Sequence, residues 1–109
     1  MKVCYYTDVE PREPLPGVTL REVITGADGA PTFRMRVIEF EPEKSTSSHN
    51  HPFEHEIFIL SGQGIVEGEQ EEKTVREGDV IFIPPDEQHC ITNNGREILR
   101  IICCVPLYA

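Results

Sequence analysis

Residues Gly78–Asn93 read GDVIFIPPDEQHCITN. A Gly-Asp turn opens the stretch, and the apolar run VIFI follows. Pro84 and Pro85 stop that run, and His89 heads a second one, CIT. Short β-branched and aromatic runs bounded by Gly, Pro, Asn and Asp are the signature of strands, and these are too short for helices. The same pattern extends in both directions. Strands are expected at Val3–Tyr6, Thr19–Val23, Thr32–Phe40, His55–Leu60, Gly64–Val66, Lys73–Val75, Asp79–Ile83, His89–Thr92 and Glu97–Val105. Nine short strands with even turn spacing predict an all-β barrel or sandwich. Asn94-Gly95, between two apolar runs, reads as a hairpin turn because both residues tolerate positive φ. The proline-rich PREPLPG reads as a surface connection, since proline removes ladder donors. The charged stretch EGEQEEKTVREGD reads as a solvated hairpin.

The chain has 109 residues, enough for one domain that buries roughly two-thirds of its unfolded surface. Ten Lys and Arg against 19 Asp and Glu give a formal charge of −9. A negative field repels phosphate backbones and anionic lipid, so nucleic acid and membrane surfaces are poor partners. MKVCYYTDVE lacks the apolar core of a signal peptide, and no apolar run approaches the roughly 18 residues of a membrane span. The expectation is a cytoplasmic protein. Cys4, Cys90, Cys103 and Cys104 show no CxxC spacing and are expected as free thiols.

The chemistry concentrates in His49–Glu56, HNHPFEHE. On an extended strand His49 and His51 point to one face, so both imidazoles can reach one cation. Four further residues span roughly 13 Å at ~3.3 Å each, so a rigid strand could not bring His55 to that cation. Pro52 favours a bend that returns the chain and makes a third ligand feasible. Parity leaves His55 and Glu56 both open, because IFIL is apolar on both faces. The fourth histidine of the chain is His89.

These two segments resemble the paired motifs of the cupin superfamily. The second family motif, G-x5-P-x-G-x2-H-x3-N, is matched by Gly78, Pro84, His89 and Asn93, with Asp86 at its inner glycine. The first motif is matched by His49 and His51 and closes at Gly62, while Glu43 stands at its opening glycine. Counting back from Gly62 through six residues lands on His55; the looser forward spacing from His51 lands on Glu56. The resemblance spans about Phe33 to Val105 and implies a double-stranded β-helix, a jelly-roll-like barrel. Its likeness to small single-domain cupins with four histidines favours His49, His51, His55 and His89 as metal ligands, with Glu56 as the alternative.

The resemblance implies a divalent ion, Mn or Fe first, although imidazole also suits Ni, Cu and Zn. Four neutral ligands would leave the ion its full +2 charge and two octahedral positions for substrate, or for substrate beside O2 or peroxide. By alternation Leu99, Ile101 and Cys103 face inward, so Cys103 is a candidate cavity residue. Phe53, Ile57, Ile59, Ile81, Ile83 and Ile91 are candidates for an apolar wall, although plain core packing is the simpler reading of each. Arg34 and Arg36 could meet an anionic substrate at the mouth; solvated strand charges are the commoner situation. Glu54 and Glu56 could hold imidazole N–H groups from behind.

Three functions suit such a site. The leading expectation is oxidation of a small apolar or aromatic molecule with O2 or peroxide. A non-redox isomerase or lyase acting on a sugar or keto acid, and a non-catalytic binding module, are the alternatives. The resemblance also implies a homodimer in which residues 1–10 cross to the partner and Phe58 and Leu60 are covered.

Overall fold

The computed structural model describes residues 1–109. It contains nine strands and two 3-10 turns, and no helix long and apolar enough to cross a membrane. The strands are β1 (Arg12–Leu15), β2 (Val18–Ile24), β3 (Phe33–Phe40), β4 (His55–Ser61), β5 (Gln63–Glu67), β6 (Glu72–Arg76), β7 (Val80–Ile83), β8 (Cys90–Thr92) and β9 (Leu99–Pro106). They form two antiparallel sheets, one in the order β1-β2-β3-β9-β4-β7 and one in the order β6-β5-β8. Eight of the nine expected strands are present, with ends shifted by a residue or two.

The core lies between the sheets. The large sheet contributes alternate residues: Val18 and Leu20, Ile38 and Phe40, Ile57 and Ile59, and Leu99, Ile101, Cys103 and Val105. The small sheet contributes Val75 and Ile91. Phe40, Ile59 and Leu99 are wholly buried, and burying a side chain of this size stabilises the fold by roughly 1.5–3 kcal/mol. Strand alternation in β9 follows expectation, with Cys103 inward and half-buried Cys104 outward.

Three expectations fail, each for a physical reason. Val3–Tyr6 is not a strand; the segment leads into a 3-10 turn at Tyr6–Asp8 and is held by side chains instead. The Tyr6 hydroxyl donates to Glu39 at 3.0 Å, and Arg21 and Arg100 both pair with that carboxylate beneath the ring. The proline-rich stretch, read as a connection, instead supplies edge strand β1, where Pro14 lacks a donor the edge does not need. Asn94-Gly95 is not a hairpin, because β8 pairs with β5 and β9 pairs with β3 and β4. The turn crosses between sheets, pinned by buried Asn93, whose Nδ2 donates to Phe40 O and Glu97 O while its Oδ1 accepts from Gly95 N.

The connections around the motifs explain their glycines. Gly62 has φ +86, and a Cβ there would lie 2.5 Å from Ile98 O, so both the dihedral and the space demand glycine. Glu43 and Asp86, which replace glycines of the family motifs, both have φ +69. The backbone turns that the glycines serve are therefore kept without them.

Candidate metal centre

Three separate segments bring the histidines together. The connection from β3 to β4 carries His49 and His51, β4 begins at His55, and His89 stands just before β8. His49 and His89 form an isolated antiparallel bridge, with His49 N–H donating to His89 O at 3.1 Å and His89 N–H to His49 O at 2.9 Å. The turn at Asp86 is tied to the same place, its N–H donating to His51 O at 2.8 Å. The backbone thus fixes the spacing of the rings before any ligand is considered.

One ring nitrogen of each histidine lies within 4.8 Å of those of the other three. Four donors about 2.1 Å from one ion would be at most roughly 4.2 Å apart, so a small inward adjustment suffices. The Nδ1 atoms face outward to anchors. His49 donates to Ser47 O at 2.6 Å, His51 to Phe53 O at 2.8 Å and His89 to Glu87 O at 2.8 Å. A carbonyl only accepts, so these three rings carry their proton on Nδ1 and present a bare Nε2. His55 Nδ1 instead meets Cys103 Sγ at 3.0 Å.

Two observations show that this donor set fits a cation. His51 Nε2 and His55 Nε2 stand 2.8 Å apart, so close that either a proton shared between them or a cation held by both must offset the repulsion of their lone pairs. His89 Nε2 is buried and has no hydrogen-bond partner, which is costly without a ligand. Burial, aided by the Arg36 charge and the other imidazoles, lowers the pKa of His55 to about 3. Burial also lowers the pKa of His89, against the opposing pull of the Glu87 carbonyl. Both rings are therefore held neutral, the form that binds metals.

The other candidates separate cleanly. Glu56 is exposed on the outer face of β4, pointing away from the four rings. Glu54 makes no hydrogen bond to an imidazole. Phe53 stacks on His51, with ring centroids 3.8 Å apart and planes 6° from parallel. Ile59 is wholly buried in the core and does not reach the cavity beside the histidines, and neither does Ile81. Ile57, Ile83, Ile91 and Cys103 do line that cavity, which measures about 410 Å³ and also meets His49, His55 and His89. Such a volume suits a small organic molecule. A more open cavity of about 520 Å³ beside β6 and β7 touches only His89 among the four, and Glu67, Glu71 and Glu87 rim it.

Sequence reasoning undervalued Arg36. It faces inward and lines the 410 Å³ cavity, with its Nη2 donating to Cys103 Sγ at 3.1 Å. Its parity was obscured because β3, FRMRVIEF, carries apolar residues on both faces.

A cupin-domain family model matches residues 36–105. This chain is a cupin. Its fold is similar to that of the polyketide cyclase RemF from Streptomyces resistomycificus, at TM-score 0.89 and 33% identity, covering 98% of this chain and 80% of that one. A predicted oxalate decarboxylase from Thermotoga maritima shares the fold at TM-score 0.83 and 24% identity, covering 97% of this cupin and 99% of that chain. Among curated relatives, an uncharacterised protein of Methanocaldococcus jannaschii is 42% identical over 60 residues, 54% of this chain and 48% of that protein. An oxalate-binding protein of Thermotoga maritima is 31% identical over 71 residues, 64% of this chain and 59% of that protein. The cupin described here thus spans about half to three-fifths of these two relatives.

Proposed function

We propose that this cupin is a metal-dependent protein that holds a divalent ion on His49, His51, His55 and His89 and transforms a small, largely apolar oxygen-bearing molecule in the adjoining cavity. The convergence of four imidazole nitrogens within 4.8 Å carries this reading. A bound divalent ion supplies Lewis-acid polarisation of a carbonyl or enol oxygen. The protein's own contribution is to keep the rings neutral, fix their tautomers through the Nδ1 anchors and wall the cavity with apolar side chains. The similarity to a polyketide cyclase over nearly the whole chain supports a non-redox reaction on a 1,3-dicarbonyl. Such a CH2 is acidic enough to lose its proton to solvent, which suits a cavity without a carboxylate in its lining.

Oxidation with O2 or peroxide is the second reading. Four neutral donors favour it, because they would stabilise the divalent state of Mn or Fe. The experiment that separates the two is anaerobic proton NMR of a 1,3-diketone in D2O with protein loaded with Mn, Fe or Zn, beside an oxygen electrode run in air. Metal-dependent exchange of the CH2 protons without oxygen uptake is expected. Stoichiometric oxygen uptake without faster exchange replaces the first reading by the second.

We also infer that a second copy of the chain covers the outer face of the large sheet. There Phe58, Val80 and Phe82 are 43%, 73% and 62% exposed, next to the edge strand β7. Exposed apolar groups gathered in this way mark interfaces.

A further inference from the structure

The inward faces of β2 and β3 carry charge at one end of the cavity. Glu22 and Arg36 are directly opposite in the β2–β3 register, and Arg34 lies two residues before Arg36 on the same face. The carboxylate of Glu22 is already engaged. Its Oε1 pairs with Arg12 at 3.3 Å and Arg34 at 3.7 Å, and its Oε2 is buried without a partner. No carboxylate lies within ion-pair distance of Arg36. Its Nη2 donates to the Cys103 sulfur, and its Nε is buried with no acceptor at all.

A guanidinium cannot shed its charge, so an unmatched N–H in a cavity wall is costly unless an acceptor arrives. Arg12 and Arg36 are the only formally charged side chains in the cavity lining, in a chain whose formal charge is −9. Local charge is therefore opposite to the global charge at the place where a ligand would bind. Beyond it the cavity is walled by Val18, Leu20, Ile38 and Phe40, with the imidazoles of His49 and His55 in the same lining.

We propose that Arg36 makes this cavity a receptor for a small organic anion, a carboxylate or enolate on an apolar body, whose charged oxygen accepts from Arg36. The proposal rests on the cavity being the substrate site of the metal centre described above, and it adds the class of substrate. The apolar body lies against Leu20 and Phe40, and the anionic end is drawn to the positive end of the cavity. Neutral molecules of the same shape leave Arg36 unmatched and bind less well.

The test compares benzoate with benzamide, matched in shape and differing in charge, by calorimetric titration. It is run on metal-free and metal-loaded protein, so that ligation of the carboxylate by the ion is separated from contact with Arg36. Benzoate is expected to bind metal-free wild type roughly tenfold or more tighter than benzamide, as a charge-assisted hydrogen bond requires. Arg36→Met is expected to remove that preference, bringing the affinity for benzoate down to that for benzamide. Arg36→Lys, which keeps the charge but not the planar fork, serves if Arg36→Met does not fold, and should weaken benzoate severalfold. Equal affinity for benzoate and benzamide in metal-free wild type overturns the proposal. So does a benzoate preference that survives both substitutions. Failure of the metal centre shows instead as protein that takes up no ion, and leaves the metal-free comparison intact.

Discussion

Cys103 Sγ lies 3.0 Å from His55 Nδ1 and 3.1 Å from Arg36 Nη2, so one buried sulfur joins an imidazole of the four-histidine cluster to the arginine of the cavity wall. The sulfur already accepts from Arg36. With its proton on Nδ1, His55 would donate to the same sulfur and turn a bare Nε2 toward the other rings, the tautomer that carbonyls impose on its three companions. Burial raises the Cys103 pKa, outweighing the nearby Arg36 charge, so the thiol stays protonated. Cys103→Val removes the acceptor and should weaken metal binding roughly 10- to 100-fold, whereas Cys103→Ser should stay within a few-fold of wild type. Competition with a fluorescent chelator reads both constants; equal losses for Ser and Val would show that the sulfur acts only as packing.

Glu43 and Asp86 occupy left-handed backbone at φ +69, where a side chain costs about 1 kcal/mol relative to glycine. Glu43→Gly and Asp86→Gly are each expected to leave the melting temperature unchanged or raise it by a few degrees. Asp86→Val should lower it, because a β-branched residue tolerates that dihedral worst. Calorimetry of the three variants is sufficient. A drop for both glycine variants would mean that these side chains stabilise the turns in another way.

His55 gives the metal-free protein a definite pH response. Its folded pKa, about 3, lies below the ordinary value of 6.5 because burial, the Arg36 charge and its neighbouring rings disfavour the cation. Between those values the unfolded chain binds the extra proton, so stability is complete above about pH 6.5 and declines as pH falls toward 3. The effect amounts to a few kcal/mol. Thermal melts of metal-free wild type from pH 8 to 4 should fall more steeply than those of His55→Gln, and parallel curves would remove His55 as the source.

The outer face of β4 and β7 leads to an assembly prediction. Phe82→Glu and Val80→Lys place charge on a face that a second copy is inferred to cover, and should shift a dimer to monomer in light scattering. Neither residue touches the four histidines, so metal content should be unaffected. A wild-type monomer at all accessible concentrations contradicts the inference.

Much of the fold was legible because strand alternation is a local property. VIFI and LRIICCV signal their buried faces through side-chain type alone, and the prolines and glycines between them mark where strands must stop. What failed depends on partners. Asn94-Gly95 has hairpin chemistry, but β8 and β9 find their partners in different sheets, which no two-residue signal encodes. Arg12–Leu15 contains Pro14, which argues against a strand everywhere except at an edge. Parity in FRMRVIEF is ambiguous, since Met35 and Val37 compete with Ile38 and Phe40 for the inner face, so the sequence leaves Arg36 open between a solvated strand charge and a contact for an anion at the mouth. In the site, spacing joined His49 to His51, but only the bridge to His89 and the start of β4 show that His55 turns in while Glu56 turns out.

The central claim is that four histidines and no carboxylate form the metal centre. Its most direct test is the metal content per chain, by plasma mass spectrometry, of wild type, His55→Ala and Glu56→Ala after reconstitution with Mn, Fe or Zn and exhaustive dialysis. One ion per chain in wild type and Glu56→Ala, with loss in His55→Ala, is the expected result. An ion retained by His55→Ala and lost from Glu56→Ala would contradict it.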